Sequence, residues 1–180
     1  MNTKKVVITG GPGTGKSTLI SALIERGYTC MPEISREVTL EAQKNGIDQL
    51  FLTNPLLFSE LLLKGRLDQY NTSIKPNTDI VFFDRAIPDV LAYMDYIGDS
   101  YPDSFSETSK DNKYDIVFML KPWKAIYKSD NERYESFEQA KEIYKHLLNT
   151  YTSHNYQPID VPFGTVEERT DFILNTLYLK

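Results

Sequence analysis

The chain of 180 residues carries 20 Lys and Arg against 25 Asp and Glu, a formal net charge of −5, with 41% hydrophobic and 25% charged residues. That length allows one domain with a substantial core, and the composition is that of an ordinary globular protein. The acidic balance speaks against a broad nucleic-acid-binding or membrane-binding face, which needs a surplus of Lys and Arg, but leaves room for a local basic pocket.

Cys30 is the only cysteine, and His146 and His154 are the only histidines. Neither an intrachain disulfide nor a His/Cys zinc site is expected, and a reducing cytoplasm is the expected setting. The apolar run near the N-terminus stops at glycines, too short for a secretory leader, and no stretch reaches transmembrane length.

In chain order, "KVVIT" (5–9) is a continuous β-branched run, which predicts a strand covered on both faces. A helix from about 16 to 26 follows the glycine-rich "GGPGTGKST" (10–18). "YTCMP" (28–32) predicts a second strand and 34–45 a helix. In 54–74, Asn54 offers an N-cap and Pro55 fits the first helical position, with Leu57, Phe58, Leu61 and Leu62 at helical spacing. "DIVFF" (79–83) predicts a strand, 88–97 a helix, 98–112 a polar loop, and "YDIVFML" (114–120) another strand. A charged, turn-rich stretch at 121–135 precedes a helix over 136–150 and a short strand near 156–161. Thr165 and Glu168 form a capping box that opens the last helix. Strands alternating with helices predict an α/β fold with a parallel sheet covered on both faces. Without repeats or linkers, residues 1–180 read as a single domain.

Gly10, Gly15, Lys16 and Ser17 satisfy GxxxxGKS between the first strand and the first helix. Glycines let the backbone of Gly10, Gly11, Pro12, Gly13, Thr14 and Gly15 wrap around phosphates with its N–H groups inward. The helix beginning at Lys16, Ser17 and Thr18 adds its positive end, Lys16 reaches the β/γ-phosphates, and the Ser17 hydroxyl ligates Mg²⁺. The pattern predicts ATP and Mg²⁺ as cofactors but names no reaction.

Asp84 ends the apolar run "IVFF" and is expected beside this loop, where ligands bind in open α/β sheets. There it would hold Mg²⁺ directly or through water, or accept a proton from an attacking hydroxyl; a solvated helix N-cap is the competing account. Hydrolytic motors commonly carry a glutamate next to this aspartate; here the place holds Arg85, which cannot act as a base but can clamp an anionic substrate. "NKYD" (112–115) matches a guanine-selective pattern but precedes its strand, so it is expected at the opposite end of the sheet as a polar turn.

In "PEISRE" (32–37), Glu33 follows the second strand and would bind or deprotonate an acceptor. Arg36 lies one helical turn away, suited to an anionic substrate; an exposed, charged first turn is the alternative. "SDNERYE" (129–135) lies where phosphotransferases carry a lid, so Arg133 is a candidate to stabilise the transferring phosphoryl group, against a solvated charged turn. Arg66 reads as a snorkelling surface side chain.

With "GGPGTGKST", "PEISRE", "VFFDRAIPDVLAY", "SDNERYES" and "HNYQPIDVPFGTVEERTDFIL" in this order, the chain resembles the bacterial AAA-type predicted-ATPase family that groups with ribosylnicotinamide-kinase-like P-loop kinases. The DRxxPDxxAY stretch is the more specific marker. The resemblance implies a P-loop NTPase three-layer sandwich with a five-stranded parallel sheet of nucleoside/nucleotide-kinase type. It implies ATP·Mg²⁺ binding, a lid arginine at Arg133, and an adenine edge at about Pro162 to Thr165. Neither the helical second domain nor the second arginine finger of a ring-forming ATPase is expected from these residues, which speaks against ring assembly. The expected function is transfer of the ATP γ-phosphate to a small nucleoside-like or nucleotide-like acceptor by a monomer or small homo-oligomer, with Glu33 or Asp84 taking the acceptor proton. The alternatives are an ATPase or nucleotide-dependent switch with a protein partner, and a non-catalytic nucleotide-binding module.

Overall fold

A computed structural model describes residues 3–73, 78–127 and 135–178. Its strands β1 (Lys4–Gly10), β2 (Thr29–Met31), β3 (Ile80–Asp84), β4 (Ile116–Leu120) and β5 (Ile159–Val161) form one all-parallel sheet. The strand order is β2-β3-β1-β4-β5, so the strand feeding the glycine loop lies beside the one ending at Asp84. The helices are α1 (Lys16–Glu25), α2 (Ser35–Lys44), α3 (Leu50–Thr53), α4 (Pro55–Thr72), α5 (Ile87–Ile97), α6 (Asp103–Asp111), α7 (Phe137–Ser153) and α8 (Val166–Tyr178).

Alternation along each strand sorts its side chains onto two faces. Val7, Val81, Phe83, Val117 and Met119 pack with Ile87, Ala92, Leu147 and Tyr151 from α5 and α7. Their neighbours Val6, Ile8, Phe82, Phe118 and Leu120 pack with Leu19 and Leu23 of α1 and Ile173 and Leu177 of α8. Both faces are therefore covered, which is why these strands read as unbroken apolar runs. Each fully buried Val, Ile or Phe contributes about 1.5–3 kcal/mol, so the central strands anchor the sheet. A third cluster, with Ile34, Leu50, Phe58, Leu62, Val90 and Phe105, joins α2 through α6 beyond the edge of the sheet.

The helix ends follow local chemistry. Asn54 Oδ1 accepts from the Leu57 N–H at 3.1 Å. Ser136 and Gln139 form a capping box on α7. Thr165 and Glu168 form the expected one on α8, with the Glu168 N–H 3.2 Å from Thr165 Oγ1 and the Thr165 N–H 2.8 Å from Glu168 Oε2.

Two elements depart from the sequence expectations. The stretch 98–112 is not all loop, because it contains α6, whose buried residues Phe105 and Ser109 lie one turn apart with Asp103 and Lys110 at the matching ends of the helix dipole. One apolar residue in the buried stripe leaves no periodicity to detect. The short α3 was also unforeseen; Leu50 buries it against α4.

The "NKYD" segment lies at the amino ends of the strands, opposite the glycine loop. There Asp115 Oδ2 accepts from the Lys5 N–H at 2.6 Å, and Lys113 Nζ donates to the His154 carbonyl at 2.8 Å. No helix among the described residues is long and apolar enough to cross a membrane.

Candidate functional site

At the carboxyl end of β1 the chain turns through Gly11–Gly15 into α1. Gly13 (φ 70°) and Gly15 (φ 78°) adopt left-handed conformations. A Cβ at Gly13 would collide with the Tyr127 ring, and one at Gly15 would lie 2.8 Å from the mobile end of Arg169, so Gly13 is excluded by space as well as by backbone and Gly15 mainly by backbone. The first turn of α1 has no side-chain cap, which leaves its N–H groups to an incoming anion. Ser17 and Thr18 are exposed on that turn, while Lys16 is buried.

The parallel register sets Ile8 beside Asp84, placing the buried Asp84 at the root of the loop. Its carboxylate is ion-paired with Lys16 Nζ. Burial lowers the Lys16 pKa and the neighbouring Arg85 lowers it further, against the raising effects of Asp84 and Glu33. Arg85 leaves the strand in a left-handed conformation (φ 68°), its N–H donating to the Ile8 carbonyl at 3.0 Å. For a non-glycine residue this backbone is uncommon, and it occurs here at the site itself.

Arg85 Nε lies 2.6 Å from Glu33 Oε2, and Arg66 Nη2 donates to Glu33 Oε1 at 3.0 Å. The Ser35 N–H adds a bond of 3.1 Å to the same oxygen, so Glu33 joins β2, α4 and β3. Burial alone would raise its pKa, but Arg66, Arg85, Lys16 and the Ser35 N–H outweigh it and hold the carboxyl at about 2. A carboxylate held this way binds cations well and takes up protons poorly.

Arg66 is not the surface side chain expected. It is 2% exposed, and its Nε and Nη1 have no hydrogen-bond partner among the described residues. The sequence signal was present: Phe58, Leu62 and Arg66 continue the buried stripe of α4 at four-residue intervals. An arginine on an apolar stripe at that spacing is inside, and needs a partner there.

Asp89, given no role by the sequence, is a buried hub. Thr9 Oγ1 and Tyr151 Oη each donate to it at 2.5 Å, and the Ala86 N–H donates at 2.9 Å. Arg85 Nη1 stands 3.6 Å away, so Asp89 also steadies the arginine from the side opposite Glu33.

Two cavities flank the glycine loop. One of about 720 Å³ is lined by Pro12, Glu33, Arg36, Arg66 and Arg85 at its charged part, and by aromatic residues including Phe58 and Tyr93 elsewhere. Glu33 and the exposed Arg36 thus reach the same cavity. The other, about 360 Å³, is lined by Gly13, Gly15, Thr18, Trp123, Gly164, Thr165 and Arg169. Trp123 stacks on Phe163 (centroids 5.0 Å, 28°), and the Arg169 guanidinium lies 5.7 Å from the Trp123 ring. Arg169 Nη2 also donates to the Thr14 carbonyl at 3.0 Å, tying α8 to the loop. Trp123 and Arg169 were missed; Arg169 continues the stripe of Ile173 and Leu177 as Arg66 does on α4. Arg133 and most of the expected lid lie outside the described residues.

The all-parallel sheet ordered β2-β3-β1-β4-β5, with a glycine loop running from its central strand into a helix, is a P-loop fold of the nucleoside- and nucleotide-kinase type. Residues 5–169 match the AAA domain family, and the chain belongs to it. It is similar to deoxyadenosine kinase from M. mycoides bound to dCMP and dCDP (18% identity, TM-score 0.70, 98% of this chain and 100% of that one). It is also similar to NadR protein in complex with NR (17%, 0.75), covering 98% of this chain and 50% of that one. For thymidylate kinase from Candida albicans the values are 16% and 0.67, with 99% and 92% covered. At these identities the likeness is one of fold. No curated protein sequence matches the chain.

Proposed function

We propose that the protein transfers the γ-phosphate of ATP to a small nucleoside-like or nucleotide-like acceptor. The observation that carries this is the position of the glycine loop between two cavities: Pro12 faces the larger and Gly13 the smaller. Hydrolysis needs room for one nucleotide and a water; a second cavity on the other side of the phosphates suits a second substrate.

In this reading the nucleotide base rests in the cavity beside Trp123 and Arg169, at the Gly164–Thr165 edge, and the phosphates lie along Gly10–Thr18. Lys16, paired with Asp84 in the structure, turns to the β/γ-phosphates and neutralises developing charge. Arg85 and Arg36 face the acceptor, and Arg133 is proposed to close over the transferring group. The Ser17 hydroxyl and Asp84 carboxylate are hard oxygen donors of the kind Mg²⁺ takes. When bound, Mg²⁺ would neutralise phosphate charge. A cytoplasmic setting, where ATP is plentiful, is part of the proposal.

The test is ADP release from Mg²⁺·ATP in the presence of a nucleoside and nucleotide panel. Release should rise with one acceptor, give a phosphorylated product in equal amount, and vanish in Lys16→Ala. Release indifferent to every acceptor but stimulated by a protein would overturn transfer in favour of a nucleotide-dependent switch. Nucleotide binding without turnover would leave a binding module.

A further inference from the structure

A hydroxyl acceptor must give up a proton as its oxygen attacks phosphorus, so a site built for one needs a group able to take it. A phosphate monoester attacks through an oxygen that is already ionised, and needs cations to hold it instead. The carboxylates beside the glycine loop are committed elsewhere. Asp84 is paired with Lys16 in the structure, and once that lysine turns to the phosphates the carboxylate is the one proposed above for Mg²⁺. Glu33 is held by Arg66 at 3.0 Å, Arg85 at 2.6 Å and the Ser35 N–H at 3.1 Å. Asp89 takes the hydroxyl hydrogens of Thr9 and Tyr151.

Arg66, by contrast, has capacity left. Arg66 is 2% exposed, lines the cavity, and keeps Nε and Nη1 without a partner among the described residues. Buried guanidinium donors stay unpaired only where something else supplies acceptors. Arg85 and Arg36 line the same cavity. Phe51, Phe58, Tyr93 and Tyr96 give it an aromatic wall suited to a planar base. Asp48 and Glu135 also line it, from the segments before α3 and α7, where ribose or base donors would find acceptors.

We infer that the larger cavity takes a nucleoside monophosphate, with its phosphate clamped by Arg66 and Arg85, and that this phosphate is the acceptor. The inference rests on the phosphotransferase reading and narrows it. A lone pair on the ionised acceptor oxygen forms the new bond to the γ-phosphorus. The bond from that phosphorus to the β–γ bridging oxygen breaks, and its electron pair leaves with ADP. No proton leaves the acceptor, so Glu33 serves as the strut that holds the two arginines in place.

The experiment pairs each 5′-monophosphate with its parent nucleoside, with ATP labelled at the γ-phosphate and products identified by mass spectrometry. At least one monophosphate should yield the diphosphate and ADP in equal amounts, and its nucleoside should yield nothing. Arg66→Gln should raise KM for that monophosphate about tenfold or more while KM for ATP moves by less than about twofold. Arg66→Lys, which keeps the charge but loses the planar donors, should fall between. A retained Trp123 fluorescence response to ATP shows that each variant is folded. Phosphorylation of nucleosides with monophosphates inert would overturn the inference, as would Arg66→Gln turning over monophosphates normally. Calorimetry separates it from its premise: monophosphate binding that depends on Arg66, without turnover by the wild type, supports the clamp and overturns phosphoryl transfer. Neither binding nor turnover overturns both.

Discussion

Replacing Glu33 by Gln keeps the shape of the side chain but removes the negative charge between Arg66 and Arg85. Each tenfold change in proton affinity is worth about 1.4 kcal/mol, so a fall from the ordinary 4.5 to about 2 makes the ionised carboxylate worth about 3 kcal/mol to the folded state. The side chain is 21% exposed, so solvent screens only part of this. The folded value lies below the unfolded one, so the stabilisation is complete above about 4.5 and is lost as pH falls toward about 2. Urea unfolding at neutral pH should therefore show Glu33→Gln less stable than wild type by about 3 kcal/mol. Between about pH 5 and about pH 3 the gap should shrink by about 2 kcal/mol, because the wild type loses the contribution that the variant never had. A gap that stays constant across that range, or widens, would refute the idea that two guanidiniums hold this carboxylate.

Trp123 is the only tryptophan and lines the smaller cavity, so ATP should change its fluorescence; Arg169→Ala should weaken ATP binding in that titration by about tenfold. Gly13→Ala should abolish ATP binding, because its Cβ would meet Tyr127 at 2.4 Å, whereas Gly27→Ala, with φ 87° but nothing within 4 Å, should lower stability by only about 1–2 kcal/mol and leave binding intact; calorimetry and thermal unfolding check the pair. Asp89→Asn trades an acceptor for a donor among three donors and should cost about 2–4 kcal/mol in denaturant unfolding; an unchanged midpoint would remove Asp89 from its place as hub.

The sheet and the glycine loop were legible because their signals are local. "KVVIT" and "IVFF" are continuous apolar runs, and "GGPGTGKST" marks a turn whose left-handed backbone glycine adopts without strain at Gly13 and Gly15. Asn54, Thr165 and Glu168 announced their helices through caps that act within a few residues. The partners of the site were less legible because they meet across the fold. Nothing local joins Glu33 to Arg66 or Asp89 to Tyr151, and nothing in the sequence around Arg85 signals its left-handed backbone. Arg66 and Arg169 were the avoidable misses. Both occupy four-residue stripes otherwise filled by buried residues, and periodicity placed them inside while chemistry alone suggested the surface.

Adjacent residues of the loop, Pro12 and Gly13, face different cavities. In the proposed reading a ligand on one side shares its phosphate cradle with whatever sits on the other, and by thermodynamic reciprocity any effect of one on the other's affinity is returned by the same factor. A dinucleoside polyphosphate, one base beside Trp123 and the other beneath Phe58 and Tyr93, would occupy both at once. Its second half would bind at the effective concentration set by the tether, making such a molecule a far tighter inhibitor than either nucleotide alone.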